Sequence, residues 1–66
     1  PTSLQRKKIL FDKFKDVNRD WLNILAEKYE VSGGQIENIR RRLIMEELLF
    51  PGFKISLEKL DELFHQ

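Results

Sequence analysis

The sequence predicts a small all-α protein, a four-helix bundle. Apolar residues recur three and four positions apart in four stretches, which is the spacing of one face of an amphipathic helix. No stretch shows the sustained apolar–polar alternation that a half-buried strand requires. The 66 residues are enough for one domain only. We therefore predict a single domain over residues 1–66, with helices at about residues 3–15, 18–30, 33–50 and 57–65.

The first predicted helix has one main apolar face and one apolar residue that does not fit it. At about 100° per residue, the residues of the main face fall within one arc. Ile9 projects from the side opposite Phe14, so we expect it either to be exposed or to contact something outside the core. The main face consists of Leu4, Leu10, Phe11 and Phe14.

The second and fourth predicted helices begin with the same kind of signal. Asn18 and Ser56 are favoured N-cap residues, whose side chains accept hydrogen bonds from free backbone N–H groups. Each is preceded by an apolar residue that can pack on one in the first helical turns. The apolar faces are Trp21, Leu22, Leu25, Ala26 and Tyr29 in the second helix, and Leu57, Leu60, Leu63 and Phe64 in the fourth.

The third helix has the strongest start signal. Ser32 as N-cap and Gln35 three residues later form a capping box, in which each side chain binds the other residue's backbone N–H. Val31 before the cap can pack on Ile36. Two glycines, Gly33 and Gly34, occupy the first turn, although each costs roughly 0.5–1 kcal/mol relative to alanine in a helix. Either a tight turn or a close helix contact needs them, or another group approaches this backbone closely.

The rest of the third helix is apolar on more than one side. Pro51-Gly52 must end it. Met45, Leu48 and Leu49 point away from the main face, so the C-terminal half is either deeply buried or an interface. The main face consists of Ile36, Ile39, Leu43 and Phe50.

Composition excludes several classes of function. There is no cysteine, so disulfides, thiolate chemistry and a zinc site are not expected. No apolar run approaches the ~20 residues of a membrane span, and no signal peptide opens the chain. These features predict a cytoplasmic protein with no membrane segment. The chain begins with proline instead of methionine, which suggests either a processed product or a piece excised from a larger protein.

The charge of the chain does not indicate a particular class of binding partner. The net charge is +1, too small to imply a polyanionic ligand. Residues 1–20 carry six basic and three acidic side chains, a balance of +3, so the remaining residues sum to −2. Arg40, Arg41 and Arg42 are successive, so on a helix they fan out instead of lining one face. We expect them to form a solvated surface, paired in part with Glu37 and Glu46; a protein or nucleotide contact and a DNA-reading helix are the alternatives.

The residues offer no catalytic site. His65 is penultimate and is expected to belong to a frayed polar terminus. The acidic pairs Asp61-Glu62 and Glu46-Glu47 are adjacent in sequence, so the two side chains of each pair point in different directions. No phosphate-binding loop or dinucleotide fingerprint occurs. An enzyme complete within these residues is therefore not expected.

The chain resembles the C-terminal helical lid subdomain of an AAA+ ATPase along nearly all of its length. Pro1 with residues 6–10 (RKKIL) is similar to the P…R-x-x-I-L segment that leads into the lid. Residues 22–29 and then 31–38 (VSGGQIEN) resemble the pattern L-x-x-L-A…[FV]-S-G-A-D-L-E-N. Residues 55–58 (ISLE) resemble the start of the last lid helix.

This resemblance implies a site and a role. Ile9 matches the isoleucine that packs on adenine, and Gly33 and Gly34 match the small pair whose backbone lies against the adenosine. Lys13 falls where some members place a histidine near the base. The implied ligand is ATP or ADP, with Mg²⁺ held by the parent's large ATPase domain. The implied partners are that domain and neighbouring subunits of a homo-hexameric ring; nucleic acid is not implied.

Two departures bear on the subfamily. Many AAA+ members carry a phosphate-sensing arginine where this chain has Gly34-Gln35, so the chain resembles the AAA subgroup, in which a small residue stands there. That subgroup usually has alanines where this chain has residues 40–43 (RRRL). The implied parent is an ATP hydrolase, whereas the fragment alone lacks catalytic residues and should be inactive. A stand-alone helical interaction module and a helical DNA-binding domain are the alternative functions.

Overall fold

The computed structural model describes residues 2–65, which fold into a bundle of four α-helices with no strand among them. The helices are α1 (Ser3–Lys13), α2 (Arg19–Lys28), α3 (Gly33–Leu49) and α4 (Leu57–Phe64). This confirms the predicted all-α fold. Pro1, which carries part of the motif resemblance, lies outside the described residues, as does Gln66. Each helix ends one or two residues before its predicted end, where a cap residue has left the helical conformation.

The predicted helix starts are confirmed. The Ser32 Oγ accepts from the Gln35 backbone N–H at 3.2 Å, and the Gln35 Oε1 accepts from the Ser32 N–H at 2.7 Å. Asn18 caps α2 and Ser56 caps α4 through the same type of bond. A fourth cap was not predicted from the sequence. Thr2 and Gln5 form a second capping box at the start of α1. Its signal, Thr-x-x-Gln, was present in the sequence.

A turn of two residues separates α3 from the segment that leads to α4. The Phe53 N–H donates to the Phe50 carbonyl at 2.9 Å, which closes a turn over Pro51 and Gly52. Gly52 has a φ of +86°, a conformation that side-chain-bearing residues rarely adopt. Proline followed by a positive-φ glycine is the pattern of a type II turn. The turn therefore ends α3 where the sequence predicts.

All four helices contribute to one core. The ring of Phe14, the C-cap of α1, and the ring of Phe64 in α4 are both buried in it and lie 6.3 Å apart, centroid to centroid. Tyr29 packs against Phe64 at 6.0 Å from the side of α2. The fully buried large side chains are Leu10, Phe14, Leu22, Leu25, Ile36, Ile39, Leu43, Leu60, Leu63 and Phe64.

Three residues differ from their predicted burial. Leu4 is 70% exposed, because α1 runs antiparallel to α2 with Lys7 bound to Glu27, so that Leu4 falls beyond the end of α2. Phe50 is 56% exposed, because it is the C-cap of α3 and its extended backbone no longer follows the helical wheel. Ile9 is half-buried and packs against the core, because α1 contacts α3 as well as α2 and so buries a wider arc.

Candidate functional site

The predicted site residues lie on α1 and at the start of α3, and two side-chain bonds fix how these helices align. The Lys13 Nζ donates to the Glu37 Oε1 at 2.6 Å, and an Arg40 N–H donates to the Asp16 carboxylate at 3.3 Å. Both bonds join residues 24 positions apart. The equal offset means that residues 13–16 and 37–40 run in the same direction.

The bond between Lys13 and Glu37 lies one helical turn from two other predicted site residues, Ile9 and Gly33. Ile9 precedes Lys13 by one turn, and Gly33 precedes Glu37 by one turn, so each lies on the same face of its helix as the bonded residue. Ile9 is half-buried against the core, which leaves part of its side chain accessible. Ile9 and Lys13 therefore share a face of α1, and Gly33 and Gly34 begin the helix to which Lys13 is bound.

The space around the two glycines is open. A Cβ atom added at Gly33 would meet nothing within 4 Å, and one added at Gly34 would meet only the Ser32 Oγ, at 3.9 Å. Gly52 is the sole described glycine with a positive φ, so neither Gly33 nor Gly34 has a backbone conformation that requires glycine. The structure thus contradicts the interpretation that a tight turn or a close helix contact within the chain needs them.

A groove of about 330 Å³ opens beside this helix start. Its size is at the lower end of the range for small-molecule sites, about 300–1,000 Å³. Arg6 of α1 and Glu30, which precedes α3, both line it. The remaining lining residues are Val31, Ser32 and Gln35. Sequence reasoning did not single out Glu30, and no local signal marked it, because its place in the groove depends on the alignment of α1 with α3.

Lys13 is held by a carboxylate. The hydrogen bond from Lys13 to Glu37, and the attraction between their charges, raise the pKa of Lys13 above its ordinary value of 10.5. The same bond lowers the pKa of Glu37 below 4.5, with a smaller contribution from Arg41, whose guanidinium lies 3.5 Å from it. Lys13 would have to exchange or share this partner to contact a ligand.

The Asp61 carboxylate joins α4 to the end of α2. Asp61 accepts from the Lys28 ammonium and from the Tyr29 hydroxyl, both at 2.8 Å, and these bonds hold the pKa of Asp61 below its ordinary value. His65 is the exposed C-cap of α4 and lies edge-on to the Tyr29 ring, with 6.3 Å between the ring centroids, and the frayed terminus stays a prediction. Within residues 2–65, no three His, Asp or Glu side chains cluster closely enough to hold a metal ion.

The three consecutive arginines do fan out, as predicted. Arg40 faces α1 and lies over the Phe14 ring at 5.6 Å, whereas Arg41 pairs with Glu37 along its own helix. Arg42 lines a groove farther along α3. Glu46 binds Lys59 of α4 at 3.0 Å, so its partner lies on a different helix from the one predicted.

No described helix has the length and apolar character needed to cross a membrane. Comparison with known proteins finds no matching family model, curated protein or solved structure. Function is therefore inferred from the described residues together with the motif resemblance.

Proposed function

We propose that this chain is the lid subdomain of an AAA-type ATPase, which closes over the adenine of bound ATP or ADP. One observation carries the proposal. Gly33 and Gly34 make α3 less stable than alanine would at the same positions. No packing contact within the chain explains why glycine is present there, because a Cβ fits at both positions. A group from outside the chain that lies close to this backbone supplies the reason.

The same turn suits one side of an adenine slot. Ile9, which is half-buried on α1, offers an apolar side chain to one face of a base, and the open first turn of α3 permits close approach from the other side. These two elements make half a slot, and the parent's large domain supplies the rest. The phosphate loop, the Mg²⁺-binding acidic residues and the arginine finger also belong to the parent, so this chain does not hydrolyse ATP alone.

In the parent the lid moves as one body with its nucleotide. The helices share a single core, so a contact at the start of α3 is transmitted to the whole bundle. The proposed setting is a cytoplasmic, homo-hexameric ring, in which lid movement reports the nucleotide state to the neighbouring subunit. The exposed side chains of Met45, Leu48 and Leu49 are available for such a contact.

The test uses the parent ATPase with Ile9→Asp and Gly34→Trp, singly and combined, and a fluorescent ATP analogue. We expect the combined variant to weaken binding at least about tenfold, equivalent to about 1.4 kcal/mol. Leu4→Asp is the matched control, because it places the same charge on α1 at an exposed position away from the glycines. Circular dichroism of each variant domain checks its fold. Unchanged nucleotide affinity in the folded double variant would exclude the adenine slot.

A second candidate is a stand-alone helical interaction module, which the exposed apolar side chains of α3 favour. The two candidates differ in what precedes Pro1 in the intact protein. The ATPase requires a phosphate-binding loop and an acidic strand end about 100–200 residues upstream, one domain length. Sequencing the full transcript decides between them, since an upstream region without these motifs leaves the interaction module.

A further inference from the structure

The C-terminal half of α3 carries an exposed apolar surface with two arginines. Leu48 is 73% exposed and Met45 53%, values unusual for large apolar side chains that lie close together. A groove of about 260 Å³ runs along this surface. We name it the basic groove; it is lined by Arg41, Arg42, Met45, Glu46, Leu49 and Phe50.

A second groove, of about 410 Å³, lies between α2 and α4 and has the opposite charge. Ile24, 48% exposed, and Leu57 provide its apolar part. Three carboxylates outnumber its one ammonium. We name it the acidic groove; it is lined by Ile24, Lys28, Leu57, Glu58, Asp61 and Glu62.

The two grooves adjoin across one lysine. The Lys59 Nζ lies 3.0 Å from the Glu46 carboxylate, which lines the basic groove, and 3.7 Å from the Glu62 carboxylate, which lines the acidic one. The grooves are therefore neighbours on the surface, on either side of α4. One surface thus presents two apolar grooves of opposite charge.

Charges within each groove are left for a partner. Asp61 is neutralised by Lys28, and Glu46 by Lys59. Arg42 and Glu58, by contrast, form no ion pair with any described residue, and both are exposed. A partner surface that complements the basic groove thus carries a carboxylate beside apolar side chains. One that complements the acidic groove carries a cation beside apolar side chains.

We propose that this surface binds a second copy of the same chain through a two-fold axis, with each basic groove on the partner's acidic groove. Each groove combines apolar side chains with a charge opposite to that of the other groove. In a two-fold dimer each basic groove therefore contacts an acidic groove, and the interface is closed. Arg42 then faces Glu58 of the second copy, and the apolar side chains of the two grooves cover each other. The inference goes beyond the proposed function, because a two-fold contact pairs two copies and differs from the head-to-tail contacts of a ring, and it does not depend on nucleotide.

The first experiment measures self-association of the 66-residue chain by sedimentation equilibrium. Small interfaces of under roughly 1,200 Å² bind weakly, so concentrations up to about 1 mM are needed. We expect the average mass to rise from 7.9 kDa toward twice that value. Association should weaken with salt, because exposed charge pairs are screened. A monomer across the whole range would overturn the proposal.

The second experiment exchanges the charges of the two grooves. Arg41→Glu with Arg42→Glu makes both grooves acidic, and Glu58→Arg with Glu62→Arg makes both basic. Each variant alone should associate at least about tenfold more weakly, because like charges now face each other. An equimolar mixture should restore a heterodimer, since each groove again meets its opposite. A mixture that stays monomeric would contradict the pairing, and one that forms long chains would contradict the two-fold axis.

The controls separate this contact from general effects of charge and from the nucleotide site. Lys8→Glu with Lys15→Glu makes the same change in net charge at exposed positions outside both grooves and should leave association unchanged. Met45→Ser tests the apolar part at an exposed position, where folding does not depend on the side chain. Gly34→Trp should leave the dimer intact, so that failure of the nucleotide proposal and failure of the dimer are distinguishable. An equal loss in the lysine control would overturn the proposal.

Discussion

Replacing Gly33 and Gly34 by alanine should stabilise the isolated chain. Both residues lie in the first turn of α3 with helical backbone conformations, and an added Cβ has room at each position. Alanine restricts the unfolded chain more than glycine does, so the folded state loses less conformational entropy on forming the helix. The 3.9 Å approach to the Ser32 Oγ at Gly34 is ordinary van der Waals contact.

The expected gain is about 1 kcal/mol for the double variant. A substitution of this kind contributes about 0.4–1 kcal/mol per position, and first-turn positions fall at the lower end because their N–H groups lie outside the helical ladder. In a domain of 60–100 residues, 1 kcal/mol raises the melting temperature by about 4–8 °C. The shift is therefore large enough to measure.

Thermal unfolding followed by circular dichroism, with urea unfolding at 25 °C as a second measure, tests this expectation. Gly52→Ala is the matched control with the opposite sign. The φ of +86° at Gly52 should make alanine cost about 1–2 kcal/mol there, the penalty of a left-handed backbone. Measuring both substitutions in one chain separates local conformation from any general effect of alanine.

A fall in melting temperature for the Gly33→Ala, Gly34→Ala variant would refute the reasoning, because it would mean that the chain itself needs the glycines. A rise in stability together with weaker nucleotide binding in the parent would be the combination expected of a site kept open for a ligand. Stabilisation with unchanged nucleotide binding would leave the glycines without the proposed role.

Four further substitutions test the fold and its pH dependence. Ser32→Ala removes the capping box of α3 and should cost about 1 kcal/mol in urea unfolding, whereas retained stability would mean that the cap is dispensable. Leu43→Ala, in the core, should lower the free energy of unfolding by about 2–5 kcal/mol. Leu48→Ala, at an exposed position, should change it by no more than about 0.5 kcal/mol, and similar losses at both positions would contradict the observed packing. The Lys13 ammonium lowers the pKa of Glu37, so the stability that this pair contributes is present above pH 4.5 and is lost as the pH falls through the lowered pKa. The melting temperature should therefore fall less steeply between about pH 5 and pH 3 in the Glu37→Gln variant than in the unsubstituted chain. An equally steep fall in both would contradict a contribution of this ion pair to stability.

The helix starts were predictable because they depend on neighbouring residues. The bonds of Ser32 with Gln35 and of Asn18 with Trp21 join residues three positions apart, so the sequence contains both partners and their spacing. The same holds for the end of α3 at Pro51-Gly52, where backbone restriction acts locally. The alignment of α1 with α3 was not predictable, because the bond of Lys13 to Glu37 spans 24 positions.

For the candidate site, the sequence by itself determined which residues break the pattern: two first-turn glycines, and Ile9 off the main apolar face. Only the tertiary structure decided that Ile9 packs on the core and that the glycines face open space. It also decided that Leu4 and Phe50 are exposed. A helical wheel gives the direction of a side chain relative to its own helix, whereas burial depends on which other helix lies in that direction and where that helix ends.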